Sequence, residues 1–238
     1  MARKHAFYVD MHVHSRFSGE SAAEPRDIIE AALARGLDGI CVTEHESLAA
    51  SAPFEEFRRS TRLTIIRGVE LSTDAGHMLV YGVSDSDWGD FGKNKISHAQ
   101  ELVDRVNRLG GIVVPAHPCV ISGSMAGASS WEDTLVEIDQ RILSVRGIAA
   151  IEVCNGKHAN YPHVCRVVGN LARRLGLPGT GGSDAHVPED VGLALTAFHT
   201  PIRSSADLVE AVRRRLLHPE SRAGVCHDSV RTSHISAR

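Results

Sequence analysis

An α/β fold, a parallel sheet wrapped by helices, is the class this sequence predicts, and three observations predict it. Short apolar runs alternate with segments whose apolar residues recur at helical spacing. The 238 residues suffice for one sizeable core, and a single α/β barrel can use all of them. Nearly every apolar run ends in a histidine or a carboxylate. In barrels of alternating strands and helices, the carboxyl ends of the strands form the active-site face.

The elements follow in order. Residues 6–14 read as the first strand. Glu24 and Pro25 open a helix whose apolar stripe is Ile28, Ile29, Ala32 and Leu33, and Gly36 ends it. Residues 38–45 form the second strand, 53–62 a short helix, 63–70 a third strand and 77–83 a fourth. Residues 97–109 form an amphipathic helix closed by Gly110 and Gly111, and a strand follows at 112–117. The small residues of 120–130 read as a mobile loop beside the site. A helix at 131–145, a strand at 147–154, a helix at 161–175 and strands at 177–183 and 191–198 come next. The last helix covers 205–217, capped by Ser204 or Ser205. Beyond it the apolar pattern fades. Residues 1–217 are therefore expected to form one domain and 218–238 a C-terminal extension, disordered over 228–238.

Composition narrows the function classes. Apolar residues make up 42% and charged residues 23%, ordinary values for a globular chain. A net charge of −3 gives no basic field for a dedicated nucleic-acid or membrane surface, although the end of an oligonucleotide in a pocket stays compatible. No apolar run is long enough to span a membrane, and the N-terminus lacks a signal-peptide core. Cys41, Cys119, Cys154, Cys165 and Cys226 are odd in number and form no C-x-x-C pair, which suits reduced thiols in a cytoplasm. No base matches Cys154 or Cys165, so neither is a nucleophile.

Histidine is the anomaly, with 14 in the chain. The strand ends carry Asp10, His12 and His14; then Glu44 and His45; then Glu70, His117 and Glu152; and finally Asp184 and His186. Residues i and i+2 of a strand share a face, so His12 pairs with His14, and Asp184 pairs with His186 near the other end of the chain. Closure of the sheet would bring the two pairs to one point. One histidine at a strand end is ordinarily structural; so many histidines and carboxylates at successive ends are not. Neutral imidazoles and carboxylates suit Zn2+, Mn2+ or Fe2+, and the lack of cysteine ligands argues against a structural zinc site. His5, His98, His158, His163, His199, His218, His227 and His234 lie off the strand ends and are expected at the surface. Gly181 and Gly182 are too short a run for a phosphate loop and are expected to fit backbone near the metals.

The motifs DMHVHSRFSGE (10–20), TEH (43–45), GVELS (68–72), GHML (76–79), PAHP (115–118), IEVCNG (151–156) and GSDAH (182–186) occur in the order of the PHP superfamily, the polymerase and histidinol phosphatase domains, which the chain resembles from residue 9 to about 217. The resemblance implies a distorted, TIM-like (β/α)7 barrel and two or three divalent metal ions. By the family pattern His12, His14, Glu70 and Asp184 hold the first metal. Glu70 bridges to a second, completed by His77 and His117. His45 and His186 hold a third, and Glu20 offers its remaining ligand where relatives often place Asp or His. Glu70, Asp184 and His186 are the expected catalytic residues. Where the family often reads T-D-H, this chain has Glu44, expected to orient a ligand.

The closing motifs most resemble the small phosphoesterase branch. The expected activity is hydrolysis of a phosphate ester (a phosphorylated metabolite, a nucleotide, or the end of a short oligonucleotide) by a water activated between two metals. Three such ions bring about +6 against about −3 from Glu20, Glu70 and Asp184, so the pocket favours an anion. Asp10 either supports a histidine from behind or faces solvent; Glu152 is either a site residue or a buried hydrogen-bonding acid. Arg16, Lys157, His158 and Asn155 are candidate phosphate contacts or plain surface. Nothing in the sequence calls for an obligate protein partner. Two rival readings stand beside this one: an amidohydrolase-type barrel, which shares the His-x-His and the late Asp, and a non-catalytic metal-binding module.

Overall fold

The computed structural model describes residues 6–88, 98–118, 141–158 and 162–222. The first apolar runs become β1 (Phe7–Val13), β2 (Gly39–His45) and β3 (Thr64–Thr73), all parallel. There the parallel order breaks. β4 (Gly76–Tyr81) returns antiparallel to β3, and β5 (Ile112–Pro115) is antiparallel to β4. Only Asp74 and Ala75 separate β3 from β4, far fewer than the dozen or so residues a parallel crossover needs, so the chain must double back. Gly76 takes a φ of 97°, which the turn requires and an L side chain resists. β6 (Ile151–Asn155) and β7 (Gly179–Gly182) form a parallel pair of their own. β8 (Ala194–Phe198) lies antiparallel to the first half of β1 and carries β9 (Leu217–Ser221) on its far edge.

Two joints close the wall. The Ala149 N–H donates to the Val113 carbonyl at 2.9 Å, tying β5 to the approach to β6. Beyond β7, the Asp184 N–H donates to His12 at 2.7 Å and the His14 N–H donates to Ala185 at 3.0 Å. β1 therefore shares one edge between β8, along its first half, and the segment after β7, along its second. Strands β1 to β7 make a TIM-like barrel, distorted by the reversal of β4 and by the β8–β9 addition. The reversal positions the site: the start of β4 lies beside the end of β3, with Ser72 opposite His77, and β5 again ends on that face.

Helices cover the wall through their apolar stripes. α1 (Pro25–Ala34) buries Ile28, Ile29 and Ala32 against Phe54 and Leu63. α2 (Asp85–Trp88) is a single turn. α3 (Ala99–Arg108) buries Leu102, Val103 and Val106, and its first turn is capped by Asp74, which accepts from the Ala99 N–H at 2.8 Å. α4 (Pro162–Arg174) places Val168, Leu171 and Ala172 against Ile151 and Val153. α5 (Ser205–Arg213) packs Leu208 and Val212 on Met11 and Phe198. Each buried valine, leucine or isoleucine among these contributes about 1.5–3 kcal/mol by leaving water. Ser204, not Ser205, caps α5, accepting from the Asp207 N–H.

Three expectations change. The short helix expected over 53–62 is a 3-10 run at Leu48–Phe57, with Pro53 inside it. The last helix ends at Arg213, because Leu217–Ser221 pairs as β9. Its one buried side chain is Leu217, which is why the apolar pattern looked exhausted there; Pro219 is tolerated on this edge strand. The sheet is mixed, not wholly parallel. The loop expected over 120–130, most of the helix over 131–145 and the tail over 228–238 lie outside the described residues. Among the described residues, no helix is long and apolar enough to cross a membrane, and Cys41, Cys154 and Cys165 are buried thiols.

Candidate metal centre

The strand ends meet on Glu70. Its carboxylate is 1% exposed and lies within contact of five imidazoles. Oε1 is 2.9 Å from His77 Nδ1 and 2.9 Å from His117 Nε2. Oε2 is 3.1 Å from both His12 Nε2 and His14 Nε2, and 3.3 Å from His45 Nδ1. Asp184 enters from the segment after β7, its Oδ1 3.4 Å from His14 Nε2 and 3.7 Å from His12 Nε2. Three sets of donors lie close enough to share an ion: His12, Glu70 and His117; His12, His14 and Asp184; and His14, His45 and His186.

Backbone geometry aims these groups. His117 and Asp184 have φ of 25° and 54°, a left-handed conformation whose cost concentrates at functional sites. Gly182 lies against His12: a Cβ there would sit 2.4 Å from the His12 Cβ. Glu152, 1% exposed, accepts from the His117 N–H at 2.7 Å and from Asn155 Nδ2 at 2.9 Å, and faces His12 Nδ1 at 3.0 Å. Asp10 is fully buried and accepts from the backbone of His12, Ser183 and Gly192. It fastens the two chain segments that carry His12 and Asp184 and touches no imidazole. Burial raises its pKa to about 6 against those hydrogen bonds. Glu44, also fully buried, accepts from Ser15 and Ser18.

The donors fit a cation better than they fit one another. Both His12 nitrogens face carboxylates, which only accept; a cation on Nε2 would leave the ring neutral, with its proton on Nδ1 toward Glu152. His12 Nε2 faces His14 Nε2 at 3.0 Å and the Glu70 and Asp184 oxygens. Without an ion, the protein must supply positive charge by protonation. Burial opposes charging His12, yet Glu70, Glu152 and Asp184 outweigh it and hold its pKa well above the usual value. Burial likewise opposes the shift at His14, which Asp184 and Glu70 raise. Glu70 and Asp184 are held below the usual carboxylate range, against burial, by the histidines around them. His77 is raised by its hydrogen bond to Glu70. His45 and His186 are lowered, chiefly by burial. Among the described residues, His117 Nδ1 is buried without a hydrogen-bond partner. An all-nitrogen-and-oxygen donor set suits divalent Zn, Mn or Fe.

Of the predicted ligands, His12, His14, His45, Glu70, His77, His117, Asp184 and His186 gather in this cluster. Glu20 stands at its rim, 69% exposed, 3.7 Å from His45 Nε2 and 3.9 Å from His186 Nε2. Lys157, half-exposed, reaches Asp184 Oδ2 at 2.9 Å. Arg16 does not join them; it pairs with Glu24 and stacks on Phe17. Asn155 is spent on Glu152 and on the Lys157 N–H. The solvent-facing alternative for Asp10 is excluded by its burial. The parts played by Ser15 and Ser18 were not foreseen, since serines after a His-x-His carry no distinguishing sequence signal.

Comparison with known proteins agrees with this geometry. Residues 10–122 match the PHP domain profile and residues 162–216 the PHP-associated profile. The chain belongs to the PHP family. A "Probable phosphatase" of Aliivibrio fischeri is 27% identical over 208 residues, 77% of this chain and 79% of the relative. Among solved structures, an amidohydrolase from Chromobacterium violaceum with bound sulfate superposes with a TM-score of 0.61 at 20% identity, covering 86% of this chain and 96% of the other. The lesion-specific endonuclease PfuEndoQ of Pyrococcus furiosus gives 0.61 at 17% identity over 90% of this chain and 57% of its own. At such identities the likeness is one of fold alone.

Proposed function

We propose that this PHP chain is a metal-dependent phosphoesterase, acting on a phosphorylated metabolite, a nucleotide or the end of a short oligonucleotide. The observation that carries the reading is the convergence of five imidazoles on buried Glu70, with Asp184 beside them. His12, His14, Glu70 and Asp184 would hold one divalent cation; Glu70, His77 and His117 a second; His45, His186 and Glu20 a third. Such ions, when bound, lower the pKa of water and neutralise charge on a phosphate.

The chain's own groups do the rest. Glu152 keeps the His12 proton on Nδ1, so Nε2 stays a lone-pair donor. The Lys157 ammonium, anchored on Asp184 and half in solvent, can receive a phosphate oxygen. His186 donates Nδ1–H to the Asp184 carbonyl at 2.9 Å, which leaves its Nε2 facing the rim. The phosphatase description of the Aliivibrio relative supports the reading. The lesion-specific endonuclease neighbour keeps nucleic acid among the candidate substrates.

The test is turnover of p-nitrophenyl phosphate and of a panel of phosphorylated metabolites and short oligonucleotides, with chelated protein reloaded with Mn2+, Fe2+ or Zn2+. Metal-dependent phosphate release is expected. Bound metal with hydrolysis of amides or carboxylic esters alone would favour the amidohydrolase alternative, and failure to bind metal would overturn both.

A further inference from the structure

We infer that Glu44 and Ser18 form a relay that sets the tautomer of His14 and so its readiness to bind a metal; the inference rests on the metal-centre reading above. Glu44, next to last in β2, is fully buried, where a carboxylate must be met by donors. It is met by three: the Ser15 N–H at 3.1 Å and the hydroxyls of Ser15 and Ser18. An ionised carboxylate donates nothing, so each serine must point its single hydrogen at Glu44.

That leaves Ser18 Oγ with lone pairs only, and His14 Nδ1 lies 3.0 Å from it. Two acceptors cannot share a hydrogen bond. The proton between them therefore belongs to His14 Nδ1, and in the neutral ring Nε2 is bare. Nε2 is the atom facing His12 Nε2, Glu70 and Asp184. The same logic places the His12 proton, but there Glu152 acts directly. The two histidines of β1 are thus oriented by two different carboxylates, one through an inserted hydroxyl. Ser15 separates the relay from mere packing of the turn. It binds the same carboxylate, yet the other contact of its Oγ is the Phe17 N–H, not an imidazole. Glu44 and Ser18 are positioning residues: they act through His14.

The experiment compares Zn2+ and Mn2+ affinity, by competition with a chromophoric chelator, in the wild-type protein and in the Ser18→Ala, Ser18→Thr, Ser15→Ala and Glu44→Gln variants. Partners behind a metal ligand are worth about 10- to 100-fold in affinity. Ser18→Ala and Glu44→Gln should each lose that much at the tightest site. Ser18→Thr, which keeps the hydroxyl, should stay within about threefold of wild type, and so should Ser15→Ala. Circular dichroism of the metal-free Ser18→Ala protein should show an intact fold, so that the loss is not unfolding. Wild-type affinity in Ser18→Ala would refute the relay, as would equal losses in Ser15→Ala and Ser18→Ala. A wild-type chain that takes up neither ion would instead overturn the metal-centre reading itself.

Discussion

Replacing Glu70 by Gln tests the centre most directly. The change keeps the shape of the side chain and removes its charge. Both oxygens are in use, with two histidine nitrogens on Oε1 and three on Oε2, at 2.9–3.3 Å. An amide can present one oxygen to one set of partners, but its NH2 cannot hold a cation, so the side chain can no longer join two sites. Stripping one charge from a buried ionic cluster costs about 3–5 kcal/mol. At about 1.4 kcal/mol per decade, metal affinity should fall by about 100- to several-thousand-fold. Phosphatase turnover at fixed, limiting metal should fall with it. The assay is chelator competition for Zn2+ and Mn2+ beside p-nitrophenyl phosphate hydrolysis, with circular dichroism to show that the barrel persists. Wild-type metal uptake and wild-type turnover in Glu70→Gln would refute the bridging role.

Lys157→Ala should raise KM for a phosphorylated substrate about tenfold while leaving metal content unchanged, since a half-exposed ammonium contributes the lower part of the range for charged hydrogen bonds; an unchanged KM would exclude it from phosphate binding. Gly182→Ala should lower Tm by about 3–10 °C, because the added methyl meets the His12 Cβ at 2.4 Å and the His12 nitrogen at 2.7 Å; calorimetry showing no shift would mean that the two strands part freely. The fork between Arg67 and Asp85, two contacts at 2.8 Å, holds the Asp85 carboxyl below its ordinary pKa, so its contribution is present above the unfolded-state value and lost as pH falls through the lower folded value. Asp85→Asn should therefore cost less than about 1 kcal/mol in urea unfolding at neutral pH and nothing near pH 2; a constant difference across that range would contradict the linkage.

The site was more legible than the sheet. Strand-end donors are visible because the i, i+2 rule is local: it pairs His12 with His14 from spacing alone, whereas Asp184, left-handed beyond β7, is brought in by its backbone turn. Their meeting needed only closure of the wall, which the joints of β1 with residues 184 and 185 provide. Strand direction needed a different signal. Only six positions separate Glu70 from His77, too few for a crossover helix, and the hairpin they form is what brings His77 to the face where β1 to β3 end. β9 was hidden because four of its five side chains are half-exposed on an edge. Glu152 and Glu44 could be seen as strand-end acids, but their tasks depend on partners up to 140 positions away, at His12, or on the rotation of a serine hydroxyl. No periodicity encodes either.

The double use of β1 also orders events during synthesis. The first histidine pair leaves the ribosome before Asp184 and His186. Its neighbours arrive very late: Asp10 waits for Ser183, 173 positions on, and for Gly192, 182 positions on. Until then the opening strand has no partner along that edge, and a nascent chain holds half a ring of bare imidazoles. Contacts of such long sequence separation form slowly. A cation would therefore meet its full set of donors only once the barrel has closed.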